Sequence, residues 1–273
     1  MQQVSHPRWL ISVVLAGLAS IGACGGESGQ QSTAAGGSSG AGGAGVELEP
    51  RWECVGNVVW PLAPMNEIVA NPSFREIRSG AVLEGLRVRG CLASDEFCTG
   101  PIAEGTTDAE GKVSLQLPAP GTGWAGYLEA VGPTIPDQLI PADKPIGYNF
   151  APGYGVPDDG TLTTVLTLLG TQQLPGRGHL GIRARDCWDL PADGVAFEVV
   201  QADAESSLSY FAGALPDRDA TMTDDEGLAV IVNVPAGLTK VHAKLAATGT
   251  LIGTVQVWVR DGSFTSFGFL PTP

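Results

Sequence analysis

The sequence predicts an all-β protein: two tandem antiparallel β-sandwiches, joined by a Pro/Gly-rich connector with a possible short helix. Three observations predict it. Gly (38) and Pro (20) are abundant while charged residues make up only 16% of the chain, which suits short strands joined by many turns. Apolar residues alternate with polar ones in short runs that stop at Pro or Gly, such as Leu86-Arg87-Val88-Arg89-Gly90. A five-residue turn signal occurs twice, as Thr107-Asp108-Ala109-Glu110-Gly111 and as Thr223-Asp224-Asp225-Glu226-Gly227.

The chain opens on a targeting signal. Met1 to Arg8 is short and slightly basic, and Trp9 to Ala23 is an apolar run of about 15 residues, below the roughly 20 that span a bilayer. Small residues precede Cys24 in Ile21-Gly22-Ala23-Cys24. That tetrad resembles the bacterial lipoprotein signal, which implies cleavage before Cys24 and a diacylglycerol on its sulfur. A Gly at position 25 leans toward the outer membrane of a Gram-negative bacterium. Residues 24–50 then form the lipidated Cys and a tether. Residues 25–46 are Gly/Ser-rich with no apolar pattern, which predicts a flexible leash of about 25–30 Å mean reach.

The folded body divides at the sequence level into a first sandwich (51–133), a connector (134–175) and a second sandwich (176–273). Trp52 to Trp60 reads as a first strand stopped by Pro61. Further strands follow at 83–91, 113–117 and 126–131. In the connector, Leu162 to Leu169 reads as a short helix, with Asp158 or Asp159 as N-cap and Gly170 just past its end, although its three Thr and Val165 also suit a strand. Strands at 179–187, 195–200, 228–234, 239–245, 254–259 and 264–270 complete the chain.

The repeated pentad has a mechanical reading. Asp opens a turn by bonding the backbone ahead of it, and Gly takes the left-handed conformation that closes it. A calcium reading of Asp108, Glu110, Asp224, Asp225 and Glu226 is weaker, because Ca²⁺ takes six to eight oxygens and the spacing is not that of an EF-hand. With Glu84-Gly85-Leu86-Arg87-Val88 matching Asp193-Gly194-Val195-Ala196-Phe197, two matches in the same order mark a domain duplication.

Ala192-Asp193-Gly194-Val195, Thr223 to Leu228 and Pro235-Ala236-Gly237 resemble carboxypeptidase regulatory-like domains. These are transthyretin-like, Ig-like sandwiches of about seven strands. The resemblance covers roughly 176–273, and 52–132 with an insertion near Met65 to Ser79. It implies a fold and carries no chemistry over.

With Cys24 assigned to lipid, four cysteines remain, an even number suited to an oxidising compartment. Of three possible pairings, Cys91–Cys98 is favoured because a short Asp-containing loop joins them, leaving Cys54–Cys187. No zinc or other metal site is expected: no Cys-x-x-Cys pair is present, and His179 and His242 read as structural. No cofactor and no catalytic residues are assigned. With 29 acidic against 15 basic residues, nucleic acid is not an expected partner.

The candidate ligand-binding residues are loop aromatics: Trp124, Tyr148, Tyr154, Trp188, Tyr210 and Phe211. Exposed aromatics stack on sugar rings or anchor protein partners. The expected partners are the bilayer and an envelope protein or polysaccharide. The leading expectation is a membrane-anchored, non-catalytic binding or scaffolding lipoprotein of the cell envelope. A carbohydrate-binding module facing envelope polysaccharide is the alternative, and a divergent hydrolase using paired acids is third.

Overall fold

The computed structural model describes residues 48–273. The targeting signal, Cys24 and the tether up to residue 47 lie outside the described residues. The fold is all-β with one short α-helix. The first half holds β1 (Glu67–Ala70), β2 (Ser73–Glu76), β3 (Arg87–Cys91), β4 (Ala103–Thr106), β5 (Leu115–Pro118), β6 (Tyr127–Gly132), β7 (Ile135–Pro141) and β8 (Gly153–Val156). Helix α1 (Asp159–Leu168) follows. The second half holds β9 (Arg177–Ala184), β10 (Val195–Val199), β11 (Ser207–Ala212), β12 (Leu215–Asp217), β13 (Leu228–Pro235), β14 (Gly237–Leu245), β15 (Leu251–Val259) and β16 (Phe264–Phe269).

The halves lay down their strands in one plan. The pair β1–β5 corresponds to β9–β13, both antiparallel. The run β3–β6–β7 corresponds to β10–β14–β15. The last strand of each half runs parallel to an early strand, β16 to β9 and β8 to β2, which follows β1 after Asn71 and Pro72. Each half has its own core, one around Phe74, Leu86, Leu117 and Leu128, the other around Leu180, Ile182, Ile231 and Phe269.

The repeated pentad builds the same turn twice, with equivalent Thr, Asp and Gly contacts. Thr107 Oγ1 accepts the Leu86 N–H (2.9 Å) and donates to the Leu83 carbonyl (2.7 Å). Thr223 Oγ1 accepts the Val195 N–H (3.0 Å) and donates to the Ala192 carbonyl (2.8 Å). Asp108 and Asp224 each accept the N–H two residues ahead, from Glu110 (3.0 Å) and Glu226 (3.1 Å). Gly111 (φ +75°) and Gly227 (φ +71°) are held doubly. The backbone is left-handed, and a Cβ would lie 2.6 Å from the carbonyl oxygen of Phe74 or Ala184.

The stretch Trp52 to Trp60 is not a strand. Pro50 starts a 3-10 turn (Pro50–Trp52) and Gly56 takes φ +77°, which breaks extended backbone. Trp52, 2% exposed, joins the core of the second half with Leu48 and Val55 beside it. The Cys54–Cys187 disulfide fixes that placement, with Cα atoms 5.8 Å apart. From Leu48 on, the described residues therefore first close the second half and only then build the first.

The segment from 134 to 175 supplies β7, β8 and α1. Asp158 caps the helix by accepting the Thr161 N–H (2.6 Å), and Gly170 follows it at φ +64°. Hydroxyls of Thr163, Thr164 and Thr167 bond carbonyls four residues back at 2.7–2.8 Å, so the threonines are accommodated in helix. Leu162, Leu166 and Leu169 pack on Val230 and Val232 of β13. Glu76 on β2 accepts a bond from Thr161 (3.1 Å). Burial pushes its carboxyl up, but the bonds from Ser79, Arg78 and Thr161 outweigh that and hold it at about 2.

The halves share one nine-stranded sheet, ordered β12-β11-β13-β9-β16-β7-β6-β3-β4. Its joint is β16 against β7, parallel, with Phe264 opposite Gln138 and Thr265 opposite Leu139. Over the joint lies a buried ion cluster. Glu129, 1% exposed, accepts from Arg89 and from Arg260, which arrives from the other half. Arg260 also donates to the Tyr127 hydroxyl (2.8 Å) and the Glu96 carbonyl (2.6 Å). The second disulfide, Cys91–Cys98 (Cα 5.4 Å), closes the loop that carries Glu96. Trp258 of the second half donates to Ala93 of that loop (2.8 Å).

Two predictions follow from this architecture. Glu129→Gln leaves the buried Arg260 and the partly buried Arg89 without their anion, and chemical denaturation is expected to show a loss of about 3–5 kcal/mol. Replacing Arg89, Glu129 and Arg260 together by apolar residues of similar volume is expected to recover most of it. The second concerns His179, which is fully buried and accepts the Asn233 N–H through Nδ1 (3.3 Å). Burial pushes its pKa down to about 4 from 6.5. The unfolded chain binds the proton first, so stability from neutral His179 is lost as pH falls from about 6.5 to about 4. A pH series of urea melts on wild type and His179→Gln checks this, since the variant lacks that slope.

Candidate binding surface

Four of the six candidate aromatics are packing residues, a correction to their reading as exposed loop groups. Trp124, 4% exposed, lies on the core of the first half, stacked near Phe150 with centroids 6.5 Å apart. Tyr210, 3% exposed, accepts the Phe197 N–H on its hydroxyl (2.8 Å), a bond that ties β11 to β10. Tyr154 is half-buried against Phe74, with centroids 5.6 Å apart, and burial pushes its hydroxyl pKa well up. Phe211 is half-buried beside α1. Tyr154 lies on β8 and Tyr210 and Phe211 on β11, so these three are strand residues, and only Trp124 lies outside a strand.

Tyr148 (54% exposed) and Trp188 (61%) remain open to solvent. Trp188 is the better held. The Asp186 carboxylate accepts the N–H of Trp188 (2.8 Å) and of Leu190 (3.1 Å), closing a tight turn in which Asp189 takes φ +65°. Cys187 is bonded to Cys54, and its N–H donates to the Arg51 carbonyl (3.0 Å). Asp189 receives Lys144 (2.9 Å) and Arg185 (2.7 Å). Burial pushes the Asp189 carboxyl up, but those two cations outweigh it and hold it below the ordinary range. The outcome is an indole with Leu190 beside it, also exposed, on a loop fixed from several directions. A rigid aromatic loses little entropy when it stacks on a sugar ring or enters an apolar pocket. The sequence marks Trp188; that Lys144, forty-odd residues earlier, braces its loop has no local signal.

Behind the loop, Asp143 accepts the Gly268 N–H (2.8 Å) and ties the first half to β16. Its burial pushes the carboxyl up to about 6, against a bond from Gly268 and the nearby Arg185 that pull it down. Among the described residues, one group of side chains lies close enough to hold a metal: Cys91, Cys98 and Glu129. Both sulfurs are spent in the disulfide and the carboxylate is spent on two arginines, so the group is a structural knot. His242 Nδ1 is bonded to Thr254 (2.7 Å) across β14–β15. Asp108, Asp224 and their neighbours hold backbone N–H groups in the two turns.

No protein-family model matches the chain, and no curated protein matches its sequence. Among solved structures it is similar to the TIE protein of Bacillus anthracis (12% identity, TM-score 0.27), covering 75% of this chain and 33% of that one. It therefore spans about a third of that protein's length. It is also similar to the shaft pilin SpaA of Lactobacillus rhamnosus GG (12%, TM-score 0.23), covering 76% of this chain and 98% of that one. A third is GBS52, a minor pilin of Streptococcus agalactiae (17%, TM-score 0.23), with 76% and 97% covered. Likeness at that level says nothing about function.

The contrast between the two tryptophans is testable. Trp188→Ala is expected to change stability by no more than about 0.5 kcal/mol, as at an open surface site. Trp52→Ala, which empties a core site, is expected to cost about 3–5 kcal/mol. Thermal melts of the two variants check both.

Proposed function

We propose that this chain is a lipid-anchored, non-catalytic protein of the cell envelope that acts as a rigid binding scaffold. The observation that carries the reading is the weld between halves: a continuous sheet, a buried Arg–Glu–Arg cluster and a disulfide-closed loop over the joint. Such a body keeps surfaces on both halves in fixed register. Anchoring is supported by Ile21-Gly22-Ala23-Cys24, and an oxidising location by the two disulfides. The outer membrane of a Gram-negative cell is the proposed membrane, and the duplicated Thr-centred turn supports the carboxypeptidase regulatory-like assignment. A second reading, a carbohydrate-binding module, is favoured by Trp188 alone, because a braced, exposed indole is what a sugar face needs.

One experiment separates these parts. The full chain and Cys24→Ala are expressed with radiolabelled palmitate and fractionated. Wild type is expected labelled and in the membrane fraction, and Cys24→Ala unlabelled and released; equal labelling of both sinks the anchor. Affinity electrophoresis through envelope polysaccharide then tests the sugar reading. Retention that disappears in Trp188→Ala supports it, and mobility unchanged by polysaccharide removes it.

A further inference from the structure

The two halves depart from their common plan at one strand. In the second half β11 pairs along β13, from Ser207 opposite Val232 to Tyr210 opposite Ala229, and covers that strand's edge. Its counterpart in chain order, β4, pairs instead with β3, from Arg87 opposite Thr106 to Gly90 opposite Ala103. The counterpart of β13 is β5, which pairs with β1 alone. Among the described residues, no strand pairs along the first half's counterpart of the edge that β11 covers.

The register says which groups are free. Val113 N–H donates to Pro72 (3.1 Å) and Ala119 N–H to Asn66 (2.8 Å), so the odd-numbered residues of this stretch face β1. In an antiparallel ladder the alternate residues then turn their N–H and C=O outward, here Ser114 and Gln116. Pro118 has no N–H, so pairing ends there.

An open groove of about 540 Å³ runs between this edge and β4. It is narrow where Gly105 lies on Val113, since a Cβ there would come within 2.6 Å of the valine side chain. Beyond that point it is lined by Ile102, Leu115, Gln116 and Pro118, with the carboxylates of Glu67 and Glu104 and no basic side chain. Arg87 reaches Glu104 from β3 (2.7 Å), while Glu67 makes no ion pair among the described residues.

We propose that the free edge of β5 is a docking site for an extended peptide segment of a partner protein. The segment adds as a strand beside Gln116, places an apolar side chain against the exposed Ile102, and carries a basic residue toward Glu67 and Glu104. Main-chain pairing supplies affinity in such additions and side-chain pockets supply specificity. The chain itself holds the template, because its own β11 makes this addition to the equivalent strand. The site goes beyond the scaffold reading and does not depend on lipid anchoring.

The test uses the full chain and two fluorescent peptides. Both contain Ser207 to Ala212 of this sequence, one flanked by two lysines at each end, the other by two glutamates. Fluorescence anisotropy is expected to show the lysine peptide binding about tenfold more tightly. Gln116→Pro removes an N–H that has no partner among the described residues, and is expected to abolish binding. Glu67→Lys serves where Gln116→Pro lowers the melting temperature, and is expected to weaken the lysine peptide about fivefold and spare the other. Equal affinity of the two peptides, or binding untouched by both variants, overturns the proposal. So does self-association in sedimentation that Gln116→Pro abolishes, because the occupant is then a second copy of this chain.

Discussion

Glu129 sits out of water between two guanidiniums drawn from different halves of the chain. A buried carboxylate is costly unless its lone pairs are taken up, and here Arg89 and Arg260 take them up from two sides. Arg260 is itself satisfied only because Tyr127 and the Glu96 carbonyl complete its set. Its guanidinium also lies 5.7 Å from the rings of Phe97 and Tyr127. Those partners exist only when β6, the 92–98 loop and the β15–β16 hairpin are all in place. The cluster therefore makes the docking of the halves close to all-or-none. An apolar joint of the same area would tolerate sliding; a charge cluster with directed bonds does not.

The covalent framework acts on the same joint from outside. Cys54–Cys187 spans 133 residues and encloses the whole first half in one loop. In the chain-entropy model such a closure contributes about 5 kcal/mol, against about 2.5 for the short Cys91–Cys98 loop. Its larger effect is topological. Trp52 on one side of the loop and β16 on the other both belong to the second half. Both ends of the described chain thus enter the same core, and the first half is a closed insertion in it. A pull applied at Leu48 reaches the second half through Cys54 and Trp52, without crossing the backbone of the first.

Local physics made part of this legible. The Thr-Asp-x-x-Gly turns needed a small β-branched hydroxyl, an Asp and a glycine at fixed offsets, and those three positions can be read from sequence. The helix after Asp158 was visible from its cap and from Gly170. The pairing of Cys91 with Cys98 followed from a short loop. What could not be read was partnership at long range. Trp52 to Trp60 alternates like a strand, yet Trp52 serves a core formed more than a hundred residues later. Arg89, Glu129 and Arg260 each look like ordinary strand-face charges until the sheet brings them together. Among the aromatics, Trp124 and Trp188 occupy similar Gly- or Asp-rich surroundings. Gly126 decides for Trp124, because a Cβ there would lie 2.7 Å from the indole nitrogen, so the ring folds inward over a glycine. Asp186 decides for Trp188 by fixing its backbone and leaving the ring outside.

A duplicated fold with one displaced strand explains how the halves came to differ in surface. In the second half β11 stays with β13, and α1 covers the outer face through Leu162, Leu166 and Leu169. That half holds the braced Trp188 loop and the first described residues, Leu48 to Val55. In the first half β4 has moved to β3, where Gly90 and Gly105 allow close approach to Leu117 and Val113. A larger residue at either glycine would collide with those side chains, so the displaced arrangement is written into the two glycines. The second half is suited to bearing the joint, and the first half to presenting an edge. The shared sheet then sets those two roles at a fixed separation, which two sandwiches on a flexible connector could not do.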